Sequence, residues 1–259
     1  MAISLDRQNR YRELYARLRP GYRTSGQVYE ALVRQHITPE TRVLDLGCGR
    51  GGVMELLADG VALPVGVDPD LISLMEYRAP SVHRAVALAD ALPFPDACFD
   101  LVLCSWVIEH LAYPQAAFHE VARVLRTGGH FVFLTPNALN YVVMINRLIP
   151  AWIQRYLVPR VYARAEADTF PVVYRANTRR RLDALLRQAG LLCEAFHLIG
   201  DPSYLALHKI LFWIGVLLER LTDGQFLRGL KVHLVGCYVK RESVNRDGGR
   251  SRHPPSPDR

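Results

Sequence analysis

Residues 43–52 read Val-Leu-Asp-Leu-Gly-Cys-Gly-Arg-Gly-Gly, an apolar β-type run that ends in a cluster of glycines. Gly47, Gly49 and Gly52 satisfy the spacing GxGxxG, and a helical pattern follows at 53–57. A strand that runs straight into such a turn and then a helix opens a βαβ unit. The glycines let the backbone turn sharply and bring its N–H groups close to a ligand that side chains would exclude. A purely structural turn seldom needs so many of them.

The rest of the chain keeps this rhythm. Short β-rich runs at 42–46, 64–67, 83–88, 99–104 and 130–134 alternate with helical patterns at 53–57, 71–77 and 115–125. Alternation of this kind indicates a parallel sheet covered by helices, and the near-continuous apolarity of the runs fits burial on both faces. Two segments depart from it. Residues 137–177 are aromatic and arginine-rich, with Pro150, Pro159 and Pro171, and read as an insertion after the fifth strand. A second insertion spans about 200–230, flanked by strand-like runs at 191–198 and 232–239. Between the insertions Asn177 can cap a helix over 178–189 that Gly190 stops. The expected division is an N-terminal helical arm (1–36), a binding core (37–136), a cap insertion (137–176), the C-terminal part of the core (177–241) with its helical insertion at about 201–230, and a disordered polar tail (242–259).

Composition excludes several classes. With 259 residues, 50% hydrophobic and 22% charged, the chain is neither collagen-like nor low-complexity and can bury a sizeable core. The net charge is +7, and only three of the 32 basic residues are lysines (Lys209, Lys231, Lys240). The arginines are scattered, not striped, so nucleic acid is not the default partner. The five cysteines are widely spaced, with no CxxC or His-Cys ligand spacing, so no metal is expected and a reduced cytoplasmic compartment fits best. The first residues lack the apolar core of a secretory signal. The longest apolar stretch, around 205–221, contains Lys209 and falls short of the roughly 20 residues of a spanning helix.

Three acids narrow the ligand of the glycine loop. Asp45 sits two residues before Gly47, where a dinucleotide-binding strand keeps an apolar residue. Its carboxylate would repel a diphosphate and suits an ammonium or sulfonium group. Asp68 ends the second strand, roughly 20 residues after Gly49, the spacing of a ribose-binding acid. Asp90 ends the third strand, followed by Ala-Leu-Pro-Phe-Pro. All three fall at the carboxyl edge of one sheet, where open α/β sheets bind ligands.

At these residues the chain resembles the class I S-adenosylmethionine-dependent methyltransferases, in particular the type 11 group of quinone-biosynthesis and other small-molecule enzymes. The first motif is matched by Asp45, Gly47 and Gly49, the second by Asp68, the third by Asp90 with Ala91. The fourth strand and its continuation are matched by 99–111, the fifth by 127–137, and 19–22 (Arg-Pro-Gly-Tyr) resembles the arm before the core. The resemblance spans about 19–240. It implies a Rossmann-like, doubly wound, seven-stranded α/β sheet with an antiparallel last strand and helical cap insertions. It also implies a cofactor, S-adenosyl-L-methionine, held by Arg19, Asp45, Gly47, Cys48, Gly49, Asp68, Pro69, Asp90, Ala91 and Ser105. In that arrangement Asp45 takes the ammonium group and Asp68 both ribose hydroxyls. Asp90 takes the adenine amino group, the Ala91 backbone reads the ring edge, and Pro69 and Leu92 give apolar contact.

The catalytic candidates follow the fourth strand. His110 is the base by its intrinsic pKa, and Glu109 is its neighbour; in some quinone-type O-methyltransferases such a pair helps hold a divalent cation. Trp106, Asn137, Tyr174 and Arg175 are the substrate candidates. In the first insertion Tyr141, Trp152, Tyr156, Tyr162, Phe170 and Tyr174 can line an acceptor pocket, with Arg160, Arg164 and Arg175 for an anionic group. The place of the Asn/Asp-Pro-Pro-aromatic motif of amino-methyltransferases reads Ser-Trp-Val-Ile-Glu-His, and no cysteine follows a proline as in cytosine-C5 enzymes.

On a helix over 204–221, His208, Lys209, Gly215, Glu219 and Arg220 share one face, and a wide apolar side includes Trp213. Three readings stand: a cap helix packed on the domain, a helix in a membrane interface, or a dimer surface. The expected activity is methyl transfer, at oxygen, to a small-molecule or lipid-like acceptor. The chain would be a cytoplasmic monomer or homodimer, or peripheral at the inner membrane face. The alternatives are an NAD(P)-dependent oxidoreductase, an RNA-directed methyltransferase, or a non-catalytic cofactor-binding protein.

Overall fold

The computed structural model describes residues 4–148 and 171–242. Seven strands form one sheet: β1 (Arg42–Leu46), β2 (Leu63–Asp68), β3 (His83–Val86), β4 (Phe99–Ser105), β5 (Leu125–Pro136), β6 (Leu191–Ile199) and β7 (His233–Lys240). Their order is β3-β2-β1-β4-β5-β7-β6. The first five pair in parallel, and β7 runs antiparallel to both of its neighbours. From β1 the chain winds outward to β2 and β3, then returns to place β4 and β5 on the other side. That reversal opens a crevice beyond the carboxyl ends of β1 and β4.

Alternation along the strands supplies two cores. Leu44, Leu46, Val102, Phe131 and Phe133 face one side. There they meet Phe118 and Val121 of α5 (Pro114–Val124) and Leu182, Leu185 and Leu186 of α7 (Arg179–Gln188). Val43, Leu101, Leu103, Val132 and Val235 face the other side. They meet Val28, Leu32 and Val33 of α2 (Ser25–Arg34), together with α3 (Met54–Leu57) and α4 (Leu71–Met75). The cap of α7 differs from expectation. Thr178, not Asn177, accepts the Arg181 N–H, because the Asn177 amide is turned inward to donate to Thr135 Oγ1 and the Pro136 carbonyl. Gly190, at φ +84°, ends the helix turn.

The remaining helices are α1 (Leu5–Leu18), α6 (Tyr141–Leu148) and α8 (Lys209–Leu221). Tyr15 of α1 packs with Phe212 and Val216 of α8, so the N-terminal arm and the second insertion share a small core. Phe212, Gly215, Val216 and Glu219 of α8 point inward, while Ile210, Trp213, Ile214 and Leu217 lie exposed. The face grouped by sequence is thereby split: Gly215 and Glu219 are buried, Lys209 and Arg220 exposed. Glu219 can go inside because Lys231 Nζ reaches its carboxylate at 3.1 Å and the Tyr141 hydroxyl donates to it at 3.0 Å. Tyr141 is therefore a partner of Glu219 in the core, not a pocket wall. Among the described residues no helix is long and apolar enough to cross a membrane. Trp152, Tyr156, Arg160, Tyr162, Arg164, Phe170 and the tail from 243 lie outside the described residues.

Candidate active site

A cavity of about 1130 Å³ lies over the carboxyl ends of β1, β2 and β4. The glycine loop forms its floor. Gly47 has φ +70°, and a Cβ there would meet Val107 Cγ2 at 2.2 Å, so only glycine lets the loop pass under the segment after β4. The loop differs from expectation in its donors. The N–H groups of Gly47 and Cys48 both donate to the Val67 carbonyl at 2.8 and 3.0 Å, and that of Gly51 to Cys48. The Gly49 N–H donates to Asp68 Oδ2 at 2.9 Å. These donors build the loop rather than facing a ligand; what the glycines contribute is a close approach.

Asp68 is buried where β2 ends. Its second oxygen accepts from the Asp70 N–H at 2.9 Å, so both oxygens are held in place with lone pairs to spare. Asp45 lies below the loop, almost fully buried, and no hydrogen bond or ion pair reaches its carboxylate among the described residues. Burial first, and the nearby Asp68 second, push it up to about 7. The Cys48 thiol is also driven up by burial, and it packs where Gly66 leaves room: a Cβ on Gly66 would meet its sulfur at 2.7 Å.

β3 stops at Val86, so Asp90 stands on a turn beyond the strand, at the cavity wall. The Ala91 N–H closes that turn onto Leu88 at 3.2 Å, and Ala91 is not part of the wall. Leu92 is in the core under the sheet, while Pro69 is on the wall.

The segment after β4 brings Ser105, Trp106, Glu109 and His110 to the same cavity. Trp106 has φ +60°, rare for a bulky side chain and a mark of local strain. Its ring meets buried His233 edge-on at 5.0 Å. Glu109 is buried and accepts from Thr135 Oγ1 at 2.9 Å; its carbonyl takes the N–H groups of Val173 and Tyr174. Those bonds tie the end of the first insertion to the site. His110 Nδ1 lies 3.1 Å from the Pro171 carbonyl. A carbonyl only accepts, so Nδ1 carries hydrogen, and Nε2 is the basic nitrogen of the neutral ring.

Other expected site residues lie elsewhere. The Arg19 guanidinium is held by Asp223 at 3.0 Å and Tyr15 at 3.1 Å, away from the cavity. The Asn137 amide is buried, donating to the carbonyls of Gly229 and Lys231. Arg175 reaches the Ala112 carbonyl at 2.6 Å, and Tyr174, at φ +50°, approaches the site through its backbone. Tyr29 of α2 was not anticipated: it is buried and lines the cavity. The apolar stripe of α2 signals a buried face, but only the sheet order says which residue on it meets the loop.

The comparisons with known proteins converge on this region. A family model described as a methyltransferase domain matches residues 44–133. The probable S-adenosylmethionine-dependent methyltransferase of Mycolicibacterium smegmatis is 38% identical over 123 residues, 46% of this chain and 47% of that protein. The ubiquinone biosynthesis O-methyltransferase of Alkalilimnicola ehrlichii is 31% identical over 103 residues, 37% of this chain and 42% of that one. The chain thus spans less than half the length of these curated relatives. The crystal structure of YcgJ from Bacillus subtilis shares the fold, with a TM-score of 0.55 at 18% identity over 83% of this chain and 98% of that one. Residues 44–133, from the glycine loop into the fifth strand, thus match a methyltransferase-domain model, and the chain shares the fold of YcgJ.

Proposed function

We propose that the chain transfers the methyl group of S-adenosylmethionine to an oxygen of a small-molecule or lipid-like acceptor. One observation carries the reading: a single cavity takes in the glycine loop, Asp68 and Asp90 together with Trp106 and His110. The residues fit that cofactor. Asp68 has spare acceptor capacity for two ribose hydroxyls, and Asp90 for the adenine amino group. Asp45 is a buried carboxylate that lacks a counter-ion among the described residues, suited to the ammonium end. When bound, S-adenosylmethionine supplies a methyl group already activated on a sulfonium. What remains for the protein is alignment and exclusion of water.

In this reading Trp106 and Tyr113, which both line the cavity, hold an apolar acceptor against the loop. His110 Nε2 takes the acceptor's hydroxyl proton as the new oxygen–carbon bond forms and the carbon–sulfur bond breaks. Glu109 acts as a positioning residue, fixing the segment that carries His110 through its bonds to Thr135, Val173 and Tyr174.

Calorimetry with S-adenosylhomocysteine tests the cofactor site. The intact chain should bind one equivalent, and Asp68→Ala should weaken binding at least tenfold, since a charged hydrogen bond contributes about 1.5–3 kcal/mol. Unchanged affinity discards the assignment. The base is tested separately by labelled methyl transfer to phenolic acceptors. His110→Gln should lower turnover about 10²–10⁴-fold while leaving S-adenosylhomocysteine affinity intact. Wild-type turnover in that variant removes the base role.

A further inference from the structure

A second cleft, of about 550 Å³, opens beside the candidate active site. The two meet at Ala112 and Tyr113, which line both. The walls of the second come from the first turns of α5, from α7 and from the segment just before α7. Phe118 and Val121 of α5 share one core with Leu182, Leu185 and Leu186 of α7, so the two helices lie side by side. That packing brings His119 of α5 and Arg181 of α7 to one cleft, and the end of the first insertion adds Arg175.

The lining holds two arginines and a histidine but no carboxylate. Other arginines of the chain are paired: Arg12 with Asp201, Arg78 with Glu55, and Arg179, two residues before Arg181, with Asp183. Arg181 has no such partner among the described residues. Arg175 spends one donor on the Ala112 carbonyl at 2.6 Å, which holds its guanidinium where the two cavities meet and leaves its other N–H groups to spare. His119 Nδ1 lies 2.7 Å from the Gln115 carbonyl, so it carries hydrogen and Nε2 is the nitrogen open to a ligand. α5 begins in the same wall without a side-chain cap, so the positive end of its dipole adds to the field. Like charges gathered on one cleft repel, and an anion between them relieves that cost.

We propose that this cleft holds the anionic end, a carboxylate or a phosphate, of the methyl acceptor, whose apolar, hydroxyl-bearing body lies in the main cavity. The proposal rests on the methyl transfer argued above and narrows its acceptor to an amphiphilic anion. Such a molecule runs from His110 and Trp106 past Tyr113 to Arg175 and Arg181. The planar guanidinium offers paired N–H groups that match a carboxylate or phosphate edge. Arg175, Arg181 and His119 are all exposed, so the anion keeps part of its water and escapes the penalty of a buried charge. A neutral acceptor fills the main cavity alone and gains nothing from the cleft. No local spacing in the sequence signals this site, because only the packing of α5 on α7 brings its cations together.

The test uses the intact chain saturated with S-adenosylhomocysteine. Calorimetry measures its affinity for hydroxyphenyl-alkanoic acids of graded chain length, for the matching hydroxyphenyl-alkyl phosphates, and for the neutral amides of the acids. At one chain length or more an anion should bind about tenfold tighter than its amide, and the advantage should shrink as salt is raised. The tighter of the two anions names the group. Arg181→Gln should bring the anion down to the affinity of the amide, whereas Arg180→Gln, the same charge change on an exposed neighbour outside the cleft, should keep the advantage. Equal affinity of anions and amides at every length, or an advantage that survives Arg181→Gln, overturns the proposal. Labelled methyl transfer to the same compounds separates it from the reading on which it rests. Selective anion binding without transfer keeps the anion site and discards O-methylation, and transfer that ignores the anion discards the cleft alone.

Discussion

Asp45→Asn is expected to stabilise the ligand-free chain above neutral pH while weakening its hold on S-adenosylmethionine. The carboxyl group ionises near pH 7 in the folded chain, against 3.8 in the unfolded one. The folded state therefore binds the proton more tightly. The stability this gives is fully present below pH 3.8 and is lost as pH rises through about 7. A rise of that size corresponds to about 4 kcal/mol, which the wild type has lost by pH 8 and the amide does not lose. Urea unfolding at pH 5 and pH 8 should show the variant gaining on the wild type as pH rises. A difference independent of pH would sink the argument. The same amide cannot balance an ammonium group, so S-adenosylmethionine affinity should fall about tenfold or more. In the wild type that affinity should strengthen as pH rises through 7, because the cofactor's cation favours the ionised carboxylate. A site that is unstable until filled is the usual compromise of a binding pocket.

Lys231→Met should cost about 3–5 kcal/mol of stability, because it leaves a buried charge without its partner. The Lys231 ammonium lies 3.1 Å from Glu219 and 2.9 Å from Asp223, and donates to Thr222 Oγ1. Glu219 is fully buried; burial raises its pKa, opposed chiefly by Lys231. Without the ammonium the carboxyl group is pushed further up. The deficit should therefore shrink as pH falls and Glu219 becomes neutral, and be largest near pH 8. Adding Glu219→Gln should recover part of the loss, since the damage lies in the unpaired charge more than in the missing attraction. Denaturant midpoints of the single and double variants decide this, and a double variant no better than Lys231→Met would refute it. Gly200 shows how tightly the pair is enclosed: a Cβ there would meet Glu219 Oε2 at 1.6 Å.

Much of the fold is legible in the sequence. β1 at Arg42–Leu46 matches its apolar run residue for residue, and the other strands differ from theirs by a few residues at the ends. The loop, the acid inside β1 and the acid that ends β2 were equally plain. Each rests on local chemistry: apolar runs of strand length, glycine where the backbone must turn, an acid where a strand stops. The misplacements share another cause. Arg19 was drawn to the site by its neighbouring motif, yet the fold offers it Asp223, about 200 residues away in the chain. Asn177 looked like a helix cap, but the end of β5 passes close enough to take its amide.

By itself, then, the sequence determined the class of sheet, the glycine loop and the three acids, of which Asp68 and Asp90 line the cavity and Asp45 does not. Local hydrophobic pattern and turn chemistry act over a few residues and are written into them directly. Tertiary structure alone decided that the loop's N–H groups close on Val67 and Asp68, and that Glu219 goes inside with Lys231. Those outcomes depend on which strand lies beside which, and a buried polar group takes whatever partner the strand order delivers to it.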